Sequence, residues 1–350
     1  MAGAESGLHA GMSQPALFSS RIAFRDAFVA GLERQLAEPG LGTFILVLAN
    51  ASFDVDIWPH LRDRLEQRFD ELSAEVAAVL RSGSKLGYPD DDLMVFLKLM
   101  AMGFAAVTPT EFRKAGPWEL QYNPLRALRP ARASGQKVET VVPPPFNPAG
   151  FQFNKPFLRP EILWEGTLRS HPMRLLYNKF PFARLHGLLV PEPEAGLPQR
   201  LTQEWHHAVW HLTQDLAAGV PGLTIAYNSY GAQASVNHLH FQTFVRGGGL
   251  PLMDTRWQHN GGTEPYPSDC HVFASALDAW FFLESLHLAD RAYNLIYTPG
   301  QLYCLPRRFL GGHAWYEMAG GVTAFNRDDF TAIEAGHISD ELSRQAPVRT

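Results

Sequence analysis

Cysteine is nearly absent: Cys270 and Cys304 are the only two in 350 residues. Two thiols can build neither a disulfide framework nor a four-cysteine zinc site. Lysine is scarce too, with six residues, and the formal net charge is -5 with a pI near 6.3. That balance excludes a generally basic nucleic-acid binder. Long apolar runs are missing. The longest, residues 93–107, carries Lys98 and is too short to cross a bilayer. The first twenty residues lack a basic start followed by an apolar run, so no secretory signal is expected. With 46% hydrophobic and 19% charged residues, extensive disorder is excluded as well. The expectation is a soluble, cytoplasmic protein of one large or two modest domains.

The chain opens with a Gly-, Ala- and Ser-rich stretch, 1–18, read as a flexible tail. From Ser20, Phe24, Phe28, Leu32 and Leu36 repeat every four residues and predict a helix that Pro39-Gly40 stops. Residues 43–49 (TFILVLA) read as a buried strand. Pro59 then opens a second helix, with Leu61, Leu65, Phe69, Leu72, Val76, Val79 and Leu80 on one face. Residues 118–160 hold Pro130, Pro143, Pro144, Pro145, Pro148, Pro156 and Pro160, which interrupt any regular element. Residues 141–151 are expected as an extended connector, either a linker or an arm packed on the domain it leaves. Strands follow at 174–177, 187–191, 224–228 and 238–245, with a helix over 201–216. A helix near 274–288 precedes a strand pair at 293–297 and 302–305. One echo is visible: Tyr177-Asn178 lies ahead of Pro191 much as Tyr293-Asn294 lies ahead of Pro306. It is compatible with two copies of one α+β unit and equally with two unrelated hairpins.

Residues 226–245, AYNSYGAQASVNHLHFQTFV, carry the chemistry. As a strand, His238, His240 and Gln242 share one face, while Leu239 and Phe241 share the other. Upstream, Asn228, Gly231, Gln233 and Ser235 lie in a small-residue loop that suits phosphate. A phosphate loop feeding an imidazole is the arrangement for nucleophilic attack on phosphorus. Two alternatives stand beside it: a metal site through His238 and His240, and a polar strand face lining buried water. The cupin-like metal site would usually add a nearby glutamate, and residues 242–245 offer none.

The motif Asn237-His238-Leu239-His240-Phe241-Gln242 resembles the signature of the histidine triad superfamily in its galactose-1-phosphate uridylyltransferase branch. Within that branch, YNSYGAQASVNHLHFQ resembles the GDP-L-galactose and GDP-D-glucose phosphorylases. Residues 120–130, 151–155 (FQFNK), 185–191 (LHGLLVP) and 292–306 add further likeness, so it covers roughly 115–345. The resemblance implies an α+β fold, an antiparallel sheet with flanking helices in two related halves. It implies one catalytic unit over 19–345, of which 19–115 is the part least like the family, with 346–350 as a tail. It implies a reaction as well: His240 attacks the α-phosphate of a GDP-hexose, hexose 1-phosphate leaves, and inorganic phosphate displaces the nucleotidyl group. Gln242 would bond the phosphate oxygens and His238 would orient the strand. Asn178 would contact the ribose, and Asn228, Gly231, Gln233 and Ser235 would line the phosphates.

Lys155 and Arg126 are candidate phosphate contacts, with Lys179, Arg129 and Arg132 behind them. His207 and His211 are four apart on a helix, but no third ligand is in view, so a solvated face is expected. His171, His186, His259, His271 and His313 have no supporting spacing. Residues 257–262 read as a loop that could close over the site. No cofactor or metal is expected. The partners expected are a nucleoside diphosphate sugar and phosphate, without nucleic acid or membrane, and a homodimer is compatible. A dinucleoside polyphosphate phosphorylase, a hexose-1-phosphate nucleotidyltransferase and a non-catalytic nucleotide-binding protein are the rival readings.

Overall fold

Residues 21–102 hold four α-helices. Ser20 caps α1 (Arg21–Leu36) by accepting the Ala23 N–H, and Phe24, Phe28, Leu32 and Leu36 are its buried stripe. The next element, α2 (Leu41–Phe53), corrects the strand expected over 43–49. A short apolar run reads the same way in a buried helix as in a buried strand. Here α2 is surrounded: α1, α3 (Trp58–Arg81) and α4 (Asp90–Met102) pack on it, so it can be apolar on every side. Phe44 meets Phe96 edge-on at 5.7 Å between ring centres. The sequence reading did not identify α4. Its three aspartates, Asp90 to Asp92, sit in the first turn, where the helix dipole favours negative charge.

The computed structural model describes residues 15–129 and 138–347. Of the expected tail, residues 1–14 fall outside this range, but residues 15–18 belong to the fold. Ala16–Phe18 form a 3-10 turn, and the Phe18 ring is buried against Phe24 and Trp164. At the other end Arg308 Nε donates to the Ala346 carbonyl, and residues 348–350 are outside the described range.

Two sheets follow the helices. The small one joins β1 (Glu111–Ala115), β2 (Trp118–Tyr122) and a late strand. The large one is built from β3 (Ile162–Leu168), β4 (His171–Tyr177) and β5 (Gly187–Pro191), then, after α5 (Gln203–Gly219), β6 (Leu223–Asn228) and β7 (Phe241–Val245). It is completed by β8 (His271–Phe273), α6 (Ala276–Leu288), β9 (Ala292–Thr298) and β10 (Gln301–Arg307). Its order is β3-β4-β5-β7-β6-β9-β10-β8, antiparallel at every junction. The chain ends with α7 (Trp315–Met318), β11 (Gly321–Ala324), α8 (Arg327–Ala332) and α9 (Ala335–Gln345). β11 runs parallel to β2 and is the third strand of the small sheet. The fold is therefore α+β with an antiparallel sheet and flanking helices.

The period of two along each strand divides the core. Phe241, Val245, Ile225, Tyr227, Leu295 and Tyr297 face a large core shared with α1 to α6. Phe244, Ala226 and Ile296 face a second core under the small sheet and α7. No helix among the described residues is long and apolar enough to cross a membrane.

The sequence echo joins different places. In the β4–β5 hairpin Tyr177 pairs with Gly187 beside the turn, whereas in β9–β10 Tyr293 pairs with Pro306 at the open end. The echo therefore does not superpose one hairpin on the other.

Leu46 is fully buried on α2. Leu46→Ala should lower the unfolding free energy by about 2–5 kcal/mol in urea titration. A loss below about 1 kcal/mol would contradict its burial among the four helices.

Candidate active site

The chain leaves β6 at Asn228 and enters β7 at Phe241, so both histidines precede the strand rather than lie in it. The reason is local. The β5 pairing reaches only Phe241, opposite Leu189. Further upstream one side chain stands in for a strand: the buried Gln199 accepts the His240 N–H at 2.9 Å and donates to the His240 carbonyl at 3.2 Å. The same amide nitrogen holds the Asn228 carbonyl at 2.9 Å. The run-in stays extended, and the alternation expected from the sequence survives. Leu239 and Phe241 enter the large core, and His238, His240 and Gln242 lie on the opposite side.

His240 Nδ1 lies 2.8 Å from the His238 carbonyl. A carbonyl only accepts, so Nδ1 carries the proton and Nε2 keeps its lone pair. Burial pushes the imidazole down to about 4, so the ring is neutral at pH 7. His238 has the opposite tautomer, because its Nδ1 accepts the Phe153 N–H at 3.2 Å. Burial, followed by the neighbouring His240, holds it too at about 4. Phe153 stacks on His238 and meets His240 edge-on at 5.0 Å between ring centres.

The proline-rich connector is thus an arm packed on the domain. Asn237 Nδ2 donates to the Pro144 carbonyl, Phe146 lies edge-on to His238, and Arg174 Nη1 donates to Asn154 Oδ1. This buried, hydrogen-bonded environment gives the polar strand face a specific chemical form: one tethered imidazole with a free lone pair.

The sequence reading missed His186. It is fully buried, and its Nε2 lies 3.0 Å from Gln242 Oε1. The Phe182 N–H fills its Nδ1, so Nε2 carries the proton and donates to Gln242. Burial lowers it to about 3, which keeps it neutral. A lone histidine 54 positions before His240 gives no spacing signal; only the β5–β7 pairing brings it in. Gln199, in a proline-flanked turn, was equally hidden. Trp315 is the third: its indole N–H donates to Gln242 Oε1 at 2.8 Å.

The remaining candidates divide. Asn178 borders the site, with its Nδ2 3.4 Å from His186 Nε2, and its carbonyl accepts Asn50 Nδ2 from α2. Asn228 Oδ1 accepts the Trp315 N–H and Asn294 Nδ2. Arg126 is buried over the Phe182 ring and donates to the Phe180 carbonyl, and its Nε has no partner among the described residues. Burial, helped by Arg129, pushes it down to about 10, so it stays a cation at neutral pH. Arg132 lies outside the described residues.

Gly231 has φ +84°, and a Cβ there would meet the Phe309 ring at 2.6 Å. Its glycine requirement therefore comes from the left-handed backbone and from packing against Phe309, in the segment after residue 307. Gln233 spends its amide on the Gly311 carbonyl, and Ser235 is half-buried in the same loop. Lys155 Nζ donates to the Pro148 and Ala149 carbonyls at 3.3 Å. Lys179 is paired with Asp92 at 2.5 Å.

Residues 257–262 do not form a lid. Trp257 is buried against Trp118 in the second core. On α5 the buried imidazole is His206, bonded to the Tyr297 hydroxyl and the Ala276 carbonyl, while His211 contacts Gln214. Among the described residues no group of three or more His, Cys, Asp or Glu is placed to hold a metal ion. A cavity of about 300 Å³ is lined by Phe182, Phe244, Trp315, Tyr316, Arg184 and Arg246; it reaches Trp315, but Gln242, His186, His238 and His240 do not line it.

Three imidazoles here are held neutral below their ordinary value near 6.5. The unfolded chain therefore binds more protons than the folded one between pH 6.5 and about 4. Stability should be full above pH 6.5 and fall as the pH drops, by about 1.4 kcal/mol per pH unit for each such group. Urea titrations of wild type and His186→Gln at pH 7, 6 and 5 check this. The variant should fall less steeply, by about one proton, and equal slopes would mean His186 is not buried neutral.

Residues 118–244 match the family model described as GDPGP1-like, N-terminal domain. GDP-D-glucose phosphorylase 1 of Bos taurus is 36% identical over 124 residues, 31% of this chain and 29% of that protein. The Danio rerio protein of the same name is 40% identical over 102 residues, 28% of each chain. GDP-L-galactose phosphorylase 1 of Arabidopsis thaliana is 35% identical over 83 residues, 24% of this chain and 18% of that one. The alignments thus span less than a third of the curated relatives' length. Among solved structures, yeast Ap4A phosphorylase Apa2 in complex with Ap4A matches with a TM-score of 0.48 at 14% identity, over 74% of this chain and 97% of that one. Residues 118–244, which match that family model, hold Arg126, His186, His238, His240 and Gln242.

Proposed function

We propose that this protein is a GDP-hexose phosphorylase that works through nucleotidyl-His240. The observation that carries the reading is the state of His240: buried, neutral, Nδ1–H tethered to the His238 carbonyl, and Nε2 left with its lone pair. The kinship of residues 118–244 supplies the substrate class.

In the first half-reaction the Nε2 lone pair attacks the α-phosphorus of the GDP-hexose. The bond from that phosphorus to the bridging oxygen breaks, and its electron pair leaves with hexose 1-phosphate. His240 now carries a guanylyl group and one positive charge. The His238 carbonyl, already accepting from Nδ1, stabilises that charge without a proton moving. In the second half, an oxygen of inorganic phosphate attacks the same phosphorus, the P–N bond breaks, and GDP leaves. The lone pair returns to Nε2, so neither half needs a metal ion or an external base at His240. Arg126, a buried cation that donates to the Phe180 carbonyl and whose Nε has no partner among the described residues, would offset the phosphate charge.

The test is a panel of GDP-glucose, GDP-mannose, GDP-galactose, UDP-glucose, ADP-glucose and diadenosine tetraphosphate, each with and without phosphate. Phosphate-dependent GDP release from a GDP-hexose is expected, and His240→Ala should abolish it. Without phosphate, guanine-labelled substrate should leave an acid-labile, base-stable adduct on the wild type but not on the variant. Turnover by His240→Ala would sink the covalent mechanism, and ADP release from the dinucleotide alone would move the substrate.

A further inference from the structure

Two amide side chains of the site, Gln242 and Asn228, share an anchor. Gln242 Oε1 receives two N–H donors, the Trp315 indole at 2.8 Å and His186 Nε2 at 3.0 Å. Asn228 Oδ1 also receives two, the Trp315 backbone N–H at 3.0 Å and Asn294 Nδ2 at 2.7 Å. An indole nitrogen can only donate, and so can a backbone N–H. The atom facing each must therefore be the amide oxygen, and the orientation of both amides is fixed by chemistry rather than by shape. The donors are themselves held. The Phe182 N–H sets the tautomer of His186, and the buried Arg307 accepts no other role at Asn294 than donating to its Oδ1, which turns the Asn294 amide nitrogen toward Asn228. With both oxygens saturated, each NH2 group is presented away from its anchor. No acceptor among the described residues takes either one.

We propose that Trp315 is a positioning residue that locks Gln242 and Asn228 so that both NH2 groups point as donors at the phosphoryl group bound by His240. This assignment rests on the nucleotidyl-transfer reading of the site. Its physical content is an amide that cannot rotate. A free glutamine beside a phosphate can offer either its oxygen, which repels the anion, or its nitrogen, which binds it. Two N–H donors on Oε1 remove the wrong choice before substrate arrives, so no reorientation is needed as charge shifts in the transition state. The ring of Trp315 also fills the second core, stacked 4.6 Å from Phe244. Packing needs the ring, whereas the lock needs the indole N–H.

Trp315→Phe separates the two, because it removes the indole N–H and keeps an aromatic ring and the backbone N–H to Asn228. It is compared with Gln242→Ala and the double variant, by calorimetric affinity for GDP and by kcat and KM on the GDP-hexose turned over. Trp315→Phe should weaken GDP about tenfold and lower kcat by a similar factor with little change in KM. In the Gln242→Ala background it should add nothing to either loss. An equal loss in both backgrounds would make Trp315 a packing residue and overturn the assignment. If Trp315→Phe does not fold by its thermal melt, His186→Leu with and without Gln242→Ala runs the same cycle on the other donor. If the wild type binds GDP but turns over no GDP-hexose, the phosphorolysis reading fails and the GDP cycle still decides the lock. A wild type that binds none of GDP, UDP and pyrophosphate overturns both.

Discussion

The hydrogen bond from His240 Nδ1 to the carbonyl two residues back spans a single turn of extended chain, yet the reacting centre depends on it. It selects the tautomer and leaves Nε2 its lone pair, and in the proposed reaction its carbonyl dipole would meet the charge formed on the ring. A bond so local survives only if the backbone carrying it cannot relax. Gln199 provides that rigidity by holding both the N–H and the carbonyl of His240 and the end of β6. The surrounding aromatic shell, above all Phe153, lowers the local dielectric and keeps the imidazole uncharged.

Charge is distributed to protect this arrangement. Many of the arginines are spent on carboxylates: Arg184 on Asp54 and Asp56, Arg246 on Glu119, Arg174 on Glu165 and Glu194. Arg126 differs. It lies over Phe182 and bonds a carbonyl, so its charge is not cancelled at close range. A positive charge near His186 also disfavours protonation of that ring, which lets His186 remain a donor with a fixed tautomer. In the proposed reaction the same side chain would offset the charge of the bound phosphates while it helps keep His186 neutral.

The reacting strand was legible because its alternation and its polar composition disagreed with an ordinary buried strand. His238, His240 and Gln242 stood out on those grounds, and the residue resemblance named the chemistry they suit. What lay hidden was everything contributed by pairing across the sheet. His186 arrives through β5, Gln199 through a turn, and Trp315 through a helix 73 residues beyond Gln242. None of these leaves a periodic trace. The residues 43–49 failed for a different reason: a segment buried on all sides carries no amphipathic period, so its β-branched and aromatic content was read as strand. For Lys155 the charge alone carried no direction, and its ammonium bonds carbonyls of its own loop.

The pairing of β11 with β2 joins residues near 120 to residues near 322. Closing so long a loop is entropically expensive until the intervening large sheet has formed and brought the ends together. The small sheet is thus among the long-range pairings of the chain, and Trp315 lies just ahead of β11. During synthesis the histidines would be made, and their strand paired, well before the residue that orients their amide neighbours has left the ribosome. The side chain that holds the Gln242 amide thus comes from the segment leading into the strand that closes the small sheet.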